Sequence, residues 1–337
     1  MSGQTIAGKT LSQRYHIISL LGGGSFGETY LAEDTHLPSR PELVVKRLKP
    51  QYTDPENLKI ARRLFDTEVE TLYKLGNHNQ IPRLFDRFEE QQEFYLVQEY
   101  IEGQDLTKEL IPGQQLPETE VIKLLQEILE VMAFVHQHNI IHRDLKPSNL
   151  MRRAKDDKIV IIDFGAVKEI SGTQLQNQQR RTVASGTTGY MPAEQIKGDP
   201  KLGSDVYAIG MLAIQALTGI MPDELQTDIK TGDVIWKNHV SVSRELAKIL
   251  DRMVRENWPD RFPSASEALS ALQAIASPPR TVISRKPRSP IAYKLIIVVM
   301  GLMALGAIGL TIYLSYNQPE TTPTPEEEIC GNNPCVW

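Results

Sequence analysis

Short runs in which apolar and polar side chains alternate occupy residues 15–21, 28–32, 43–48 and 94–98. This is the period of strands with one buried face. Between the third and fourth runs, Phe65, Val69, Leu72 and Leu75 recur at helical spacing and define one apolar face. From Glu118 onward the helical period dominates, beginning with Leu124, Leu125, Ile128, Leu129, Met132 and Val135. A later run, 208–217, is apolar all round apart from Gln215, as expected of a helix enclosed by others. The pattern predicts an α+β body of two lobes: strand-rich with one helix over residues 15–100, helical over 101–276, behind an N-terminal extension over 1–14.

The pattern changes after this body. Residues 277–294 are rich in Pro, Arg and Ser without apolar periodicity and read as a juxtamembrane linker. Residues 295–314 then form 20 positions without a charge, about 30 Å as a helix, which is enough to span a bilayer. Tyr293 on one side and Tyr313 with Tyr316 on the other suit interfacial anchors. Arg280, Arg285, Lys286, Arg288 and Lys294 precede the span, and Glu320, Glu326, Glu327 and Glu328 come after it. By the positive-inside rule the large body is cytoplasmic and the tail over 315–337 is extracytoplasmic. Both cysteines, Cys330 and Cys335, lie in that tail, where a bridge between them is chemically permitted but not required. The span contains no Gly-x-x-x-Gly, so it predicts no tight helix dimer.

With 337 residues, 41% hydrophobic and 23% charged, the composition is that of a globular chain and excludes general disorder or a disulfide-built miniprotein. A net charge of −5 argues against nucleic acid as a partner.

The candidate chemistry is concentrated in the first half. Gly22, Gly24 and Gly27 form Gly-x-Gly-x-x-Gly, a pattern shared by dinucleotide sites and phosphate-covering hairpins. The run directly after the glycines, Glu28-Thr29-Tyr30-Leu31-Ala32, alternates like a strand, which favours the hairpin, although a bland flexible turn has the same local pattern. Lys46 interrupts the β-branched run Val44-Val45, and Glu68 falls on the apolar face between Phe65 and Leu72. The ammonium is costly there unless an anion receives it and the carboxylate is costly without a partner, so each explains the other. Asp144 and Asn149, five apart in a polar loop, and Asp163, closing the apolar run 159–162, can address one centre with oxygen ligands for a hard metal ion.

In His142-Arg143-Asp144-Leu145-Lys146-Pro147-Ser148-Asn149 followed by Asp163-Phe164-Gly165 the chain resembles the protein kinase family. The resemblance covers residues 15–276 and points to the bacterial, Hanks-type serine/threonine kinases with a membrane anchor. It implies the bilobal kinase fold, ATP with Mg²⁺ (or Mn²⁺), and transfer of the γ-phosphate to Ser/Thr hydroxyls of proteins, including autophosphorylation through a transient dimer. Asp144 would be the catalytic carboxylate, Lys146 would reach the γ-phosphate, Lys46 the α- and β-phosphates with Glu68 holding it, and Asn149 and Asp163 the metal. The nucleotide pocket would be lined by Leu21, Gly22, Gly24, Gly27, Thr29, Val44, Lys46, Gln98, Glu99, Ile101 and Met151. Asp205 would brace the catalytic loop and Glu194 would pair with Arg261. Arg143 would receive a phosphate on the activation segment, which would run from Asp163 to Glu194, at Thr182 or Ser185. Val44, Thr29 and the order Pro192-Ala193-Glu194 depart from the family's usual residues. A silent nucleotide-binding scaffold and a small-molecule phosphotransferase stand as the alternatives.

Overall fold

A computed structural model of the chain describes residues 6–24, 27–48, 55–164, 168–169, 189–276, 308–313 and 315–316. The chain divides into two units, Met1–Pro278 and Pro279–Trp337. The first opens with an antiparallel sheet of six strands: β1 (Thr10–Leu11), β2 (Tyr15–Gly24), β3 (Gly27–Asp34), β4 (Glu42–Leu48), β5 (Leu84–Glu90) and β6 (Glu93–Glu99), in the order β1-β2-β3-β4-β6-β5. Helix α1 (Pro55–Leu75) lies between β4 and β5 in sequence.

Strand alternation builds two cores on this sheet. Leu43 and Val45 of β4 join Tyr15, Ile17, Tyr30, Ala32, Tyr95 and Val97 on one face, where Tyr15, Phe88 and Tyr95 stack in a row at 5.8 and 4.9 Å between ring centres. Phe94 and Leu96, the alternate residues of β6, meet Phe65 and Val69 of α1 on the other. Because β6 is covered on both faces, its interior is buried throughout, and each such apolar side chain contributes about 1.5–3 kcal/mol. The sheet begins ahead of Tyr15. The amide of Gly8 donates to the carbonyl of Ile17 at 2.9 Å, Thr10 pairs with His16, and Ile6 is buried in the first core. Part of the segment read as an N-terminal extension is therefore an edge of the sheet.

The helical half contains β7 (Gly103–Asp105), α2 (Glu118–Gln137), β8 (Ile140–Ile141), β9 (Leu150–Arg153), β10 (Ile159–Ile161), β11 (Lys168–Glu169), α3 (Ala193–Ile196), α4 (Leu202–Thr218), β12 (Gln226–Thr227), β13 (Val234–Ile235), α5 (Arg244–Met253) and α6 (Ala265–Ala276). Helix α4 is enclosed as its all-round apolar pattern predicts, with α2, α5 and α6 around it. Gly210 of α4 makes that packing possible: a Cβ there would sit 2.7 Å from Val254 Cγ1 and 2.9 Å from Met253 Cβ.

In the second unit, residues 308–313 and 315–316 are helical. Among the described residues no helix is long and apolar enough to cross a membrane. Most of the 295–314 span, the 277–294 linker, and Cys330 and Cys335 lie outside the described residues, as do Thr182 and Ser185.

Candidate active site

The glycine-rich hairpin forms as predicted: β2 and β3 pair through Gly22↔Thr29, Gly23↔Glu28 and Gly24↔Gly27. Gly27 has a second reason to be glycine. A Cβ on it would meet the Arg47 carbonyl oxygen of β4 at 2.2 Å, so only a bare Cα lets the hairpin base close on the strand that carries Lys46. Strand alternation turns Lys46 away from the face of Val45. Its Nζ lies 3.2 Å from Glu68 Oε1 on α1 and 3.1 Å from Asp163 Oδ1. The Glu68 side chain is 3% exposed, Lys46 16% and Asp163 48%, so the ammonium is walled by α1 and reaches toward a carboxylate that opens to solvent. Burial alone would depress the pKa of Lys46. The charges of Asp163 and Glu68 outweigh it and hold the group above the ordinary lysine range, so it stays an ammonium.

The loop after β8 holds the catalytic candidates. The Asp144 carboxylate accepts from Asn149 Nδ2 at 2.9 Å and lies 2.8 Å from Lys146 Nζ. Asn149 Nδ2 also donates to the Asp144 carbonyl at 2.7 Å. Its amide nitrogen is thus committed to Asp144, leaving the oxygen Oδ1 as its metal-binding atom. Asp163 follows β10 with a left-handed φ of 66° and Arg143 has φ 71°. Such conformations cost a non-glycine residue about 1–3 kcal/mol and persist only where surrounding structure enforces them.

The enforcing contacts are buried. Asp205 of α4 accepts from the His142 amide (2.8 Å), the Arg143 amide (2.9 Å) and His136 Nε2 (3.0 Å). His136 Nδ1 in turn accepts from the Ala265 amide at the start of α6, at 3.0 Å, so its partners fix the tautomer with the proton on Nε2. His142 has the same tautomer, since Nε2 donates to the Ile162 carbonyl at 3.2 Å and Nδ1 accepts from the Asp144 amide at 3.3 Å. Glu194 pairs with Arg261 through two contacts, 2.6 and 3.1 Å, and accepts from the Ser204 hydroxyl at 2.6 Å. Gln215, the polar exception in the run 208–217, accepts from the hydroxyl of Tyr190.

Of the nucleotide-pocket residues, Thr29 stands opposite Lys46 on β3 and β4, and Val44 opposite Gln98 on β4 and β6. Leu21 is an exposed residue of β2; Glu99 and Ile101 lead into the connection between lobes, and Met151 lies on β9. Two observations fit a nucleotide and its ion. Gln98 Nε2 is buried with no partner among the described residues, and the oxygens of Asp163 and Asn149 suit a hard divalent cation. Among the described residues no group of three or more His, Cys, Asp or Glu gathers as a metal cluster, so such an ion would take its remaining oxygens from phosphate and water. Sequence reasoning missed His136 and also Gln195, whose Nε2 donates to the Arg143 carbonyl at 2.5 Å. His136 carried a faint signal, one helical turn after Met132 on the buried stripe of α2. Gln195 carried none.

A profile of the protein kinase domain matches residues 15–272. The chain belongs to the protein kinase family. It is 42% identical over 268 residues to Serine/threonine-protein kinase B of Synechocystis sp., covering 78% of this chain and 47% of the relative. It is 45% identical over 269 residues to Serine/threonine-protein kinase C of the same organism (79% and 50%). With Serine/threonine-protein kinase PknA of Nostoc sp. it shares 42% over 284 residues (83% and 50%). The chain spans about half the length of these bacterial relatives. Among solved structures, the Mycobacterium tuberculosis PknI kinase domain superposes with a TM-score of 0.60 at 24% identity, covering 80% of this chain and 99% of that one, a likeness of fold.

Proposed function

We propose that this chain is a serine/threonine protein kinase that transfers the γ-phosphate of ATP to hydroxyls on proteins, itself included. The observation that carries the reading is the convergence of Lys46 on Glu68 and Asp163, with Asp144 oriented by Asn149 and Lys146. The nucleotide with its divalent ion supplies an electrophilic phosphorus whose charge is already partly neutralised. The chain supplies the rest: the Lys46 ammonium holds phosphate oxygens, Lys146 neutralises charge beside Asp144, and Asp144 orients the acceptor hydroxyl and takes its proton. Incubation of the full chain with ATP and Mg²⁺, followed by mass-spectrometric site mapping, is expected to find phosphate on Ser and Thr. Equal, background-level signals from wild type and Asp144→Asn would overturn the reading in favour of a scaffold, and phosphate on small molecules alone would favour a phosphotransferase.

The activation segment is proposed to be controlled by phosphate at Thr182 or Ser185, bound by Arg143. Support comes from Arg143 itself, whose buried Nε has no partner among the described residues. Burial also pushes its pKa down, only partly opposed by Asp205, so an added anion would relieve an unfavourable charge. Such phosphorylation in trans requires only a transient dimer. The charge-free run 295–314 with its basic N-terminal flank supports a single-pass anchor holding the kinase body in the cytoplasm. Retention of the full chain in membranes through alkaline carbonate, with Cys330 and Cys335 labelled from outside by an impermeant maleimide after reduction of any bridge, is the expected result; release or inside-only labelling would refute the topology.

A further inference from the structure

The peptide unit between Arg143 and Asp144 carries the catalytic carboxylate, and its two polar atoms are held from different places. Its N–H, on Asp144, reaches His142 Nδ1 at 3.3 Å, a long contact. Its carbonyl, on Arg143, accepts a hydrogen bond from Gln195 Nε2 at 2.5 Å. Gln195 is 4% exposed and sits in α3, next to Glu194, which is clamped by Arg261 and Ser204. Asp205 secures the other side of Arg143 through that residue's amide, but an amide anchor alone leaves the following peptide plane free to rotate about ψ.

We infer that Gln195 is a positioning residue for Asp144: its side-chain amide fixes the plane of the Arg143–Asp144 peptide and so ties the aim of the catalytic carboxylate to the seating of α3 at the end of the activation segment. The left-handed backbone at Arg143 makes this hold necessary, because a non-glycine residue relaxes from that region when its carbonyl is released. The length of glutamine matters. From α3 its amide spans to the loop and delivers an N–H to a carbonyl, which glutamate, an acceptor when ionised, cannot do. Gln195 touches no reacting atom; it acts through Arg143 and Asp144.

The inference rests on the kinase reading, and the experiment separates the two. Full-length wild type, Gln195→Met, Gln195→Glu and Asp144→Asn are assayed for transfer from ATP to dephosphorylated casein and to the chain itself, with rates expressed per ATP-binding site titrated in each preparation. Both Gln195 variants are expected to lose about tenfold in kcat, the scale of one buried hydrogen bond. Their KM for ATP should stay within about twofold of wild type, because the nucleotide contacts lie elsewhere. Wild-type kcat per site in Gln195→Met, a loss that merely tracks the number of ATP-binding sites, or a rise in casein KM at unchanged kcat would overturn the inference while leaving the kinase reading intact. Wild type no more active than Asp144→Asn would overturn both.

Discussion

Replacing Arg261 with methionine is expected to damage this protein more than any surface substitution, and the size of the effect depends on the groups the guanidinium holds. It makes two contacts to Glu194 at 2.6 and 3.1 Å, and it donates to the carbonyls of Gly203 at 3.3 Å, Glu256 at 2.9 Å and Arg255. It is fully buried, with its charge over the Tyr207 ring at 4.8 Å. Breaking a buried pair by removing one partner costs about 3–5 kcal/mol, because the remaining charge is left uncompensated. The Ser204 hydroxyl stays on Glu194 and places the expected loss near the lower end, about 3 kcal/mol. That is a large part of the ~5–15 kcal/mol available to a folded domain and corresponds to a midpoint shift of about 1–2 M in urea. Adding Glu194→Gln removes the stranded charge, so the double variant should be more stable than Arg261→Met alone, with a coupling of about 2 kcal/mol in the double-mutant cycle. Equilibrium urea unfolding of the four proteins measures it. A loss below about 1 kcal/mol for Arg261→Met, or effects that add within about 0.5 kcal/mol, would refute the reasoning.

Two further expectations concern the strand-rich lobe. Asp34 is held below its ordinary value of 3.8, chiefly by hydrogen bonds from Arg14 at 2.7–3.1 Å, against a smaller opposing effect of burial. A depressed folded pKa means that its contribution is complete above the ordinary value and is lost as pH falls through the folded one. Urea midpoints from neutral pH down to about pH 2 should therefore fall less steeply for Asp34→Asn, which starts lower; parallel curves would refute this. Gly27→Ala sets a methyl 2.2 Å from the Arg47 carbonyl oxygen, and should cost about 2 kcal/mol or more while raising the KM for ATP. Unchanged stability and KM would show that the hairpin closes without that contact.

Besides the glycine hairpin and the loop motif, the parts of the site legible in sequence were those where a charge broke an apolar period. Lys46 and Glu68 each occupied a position that a strand or helix face reserves for apolar residues, and the structure brings them to 3.2 Å. Strand β5 was not legible because its alternation is inverted at one adjacent pair. Phe85 is exposed, whereas Asp86 lies on the inner side, where it accepts from the Tyr15 hydroxyl at 2.6 Å. The first edge of the sheet was hidden for another reason: among the described residues Ile6 and Leu11 are its only buried apolar anchors, five residues apart, and much of the rest is backbone hydrogen bonding that any sequence can make. His136 and Gln195 do their work on Asp205 and Arg143, 69 and 52 residues away, and a polar side chain at such a separation gives no local sign of its partner.

The central claim is that Lys46, Glu68, Asp144, Asn149 and Asp163 act on one nucleotide and one acceptor hydroxyl. Its most direct test is single-turnover transfer of labelled γ-phosphate by the full chain, with ATP binding measured in parallel, for wild type and Asp144→Asn. ATP binding is expected to survive in Asp144→Asn while transfer falls by at least about a hundredfold, the scale of a lost general base. Transfer by Asp144→Asn at the wild-type rate would contradict the claim.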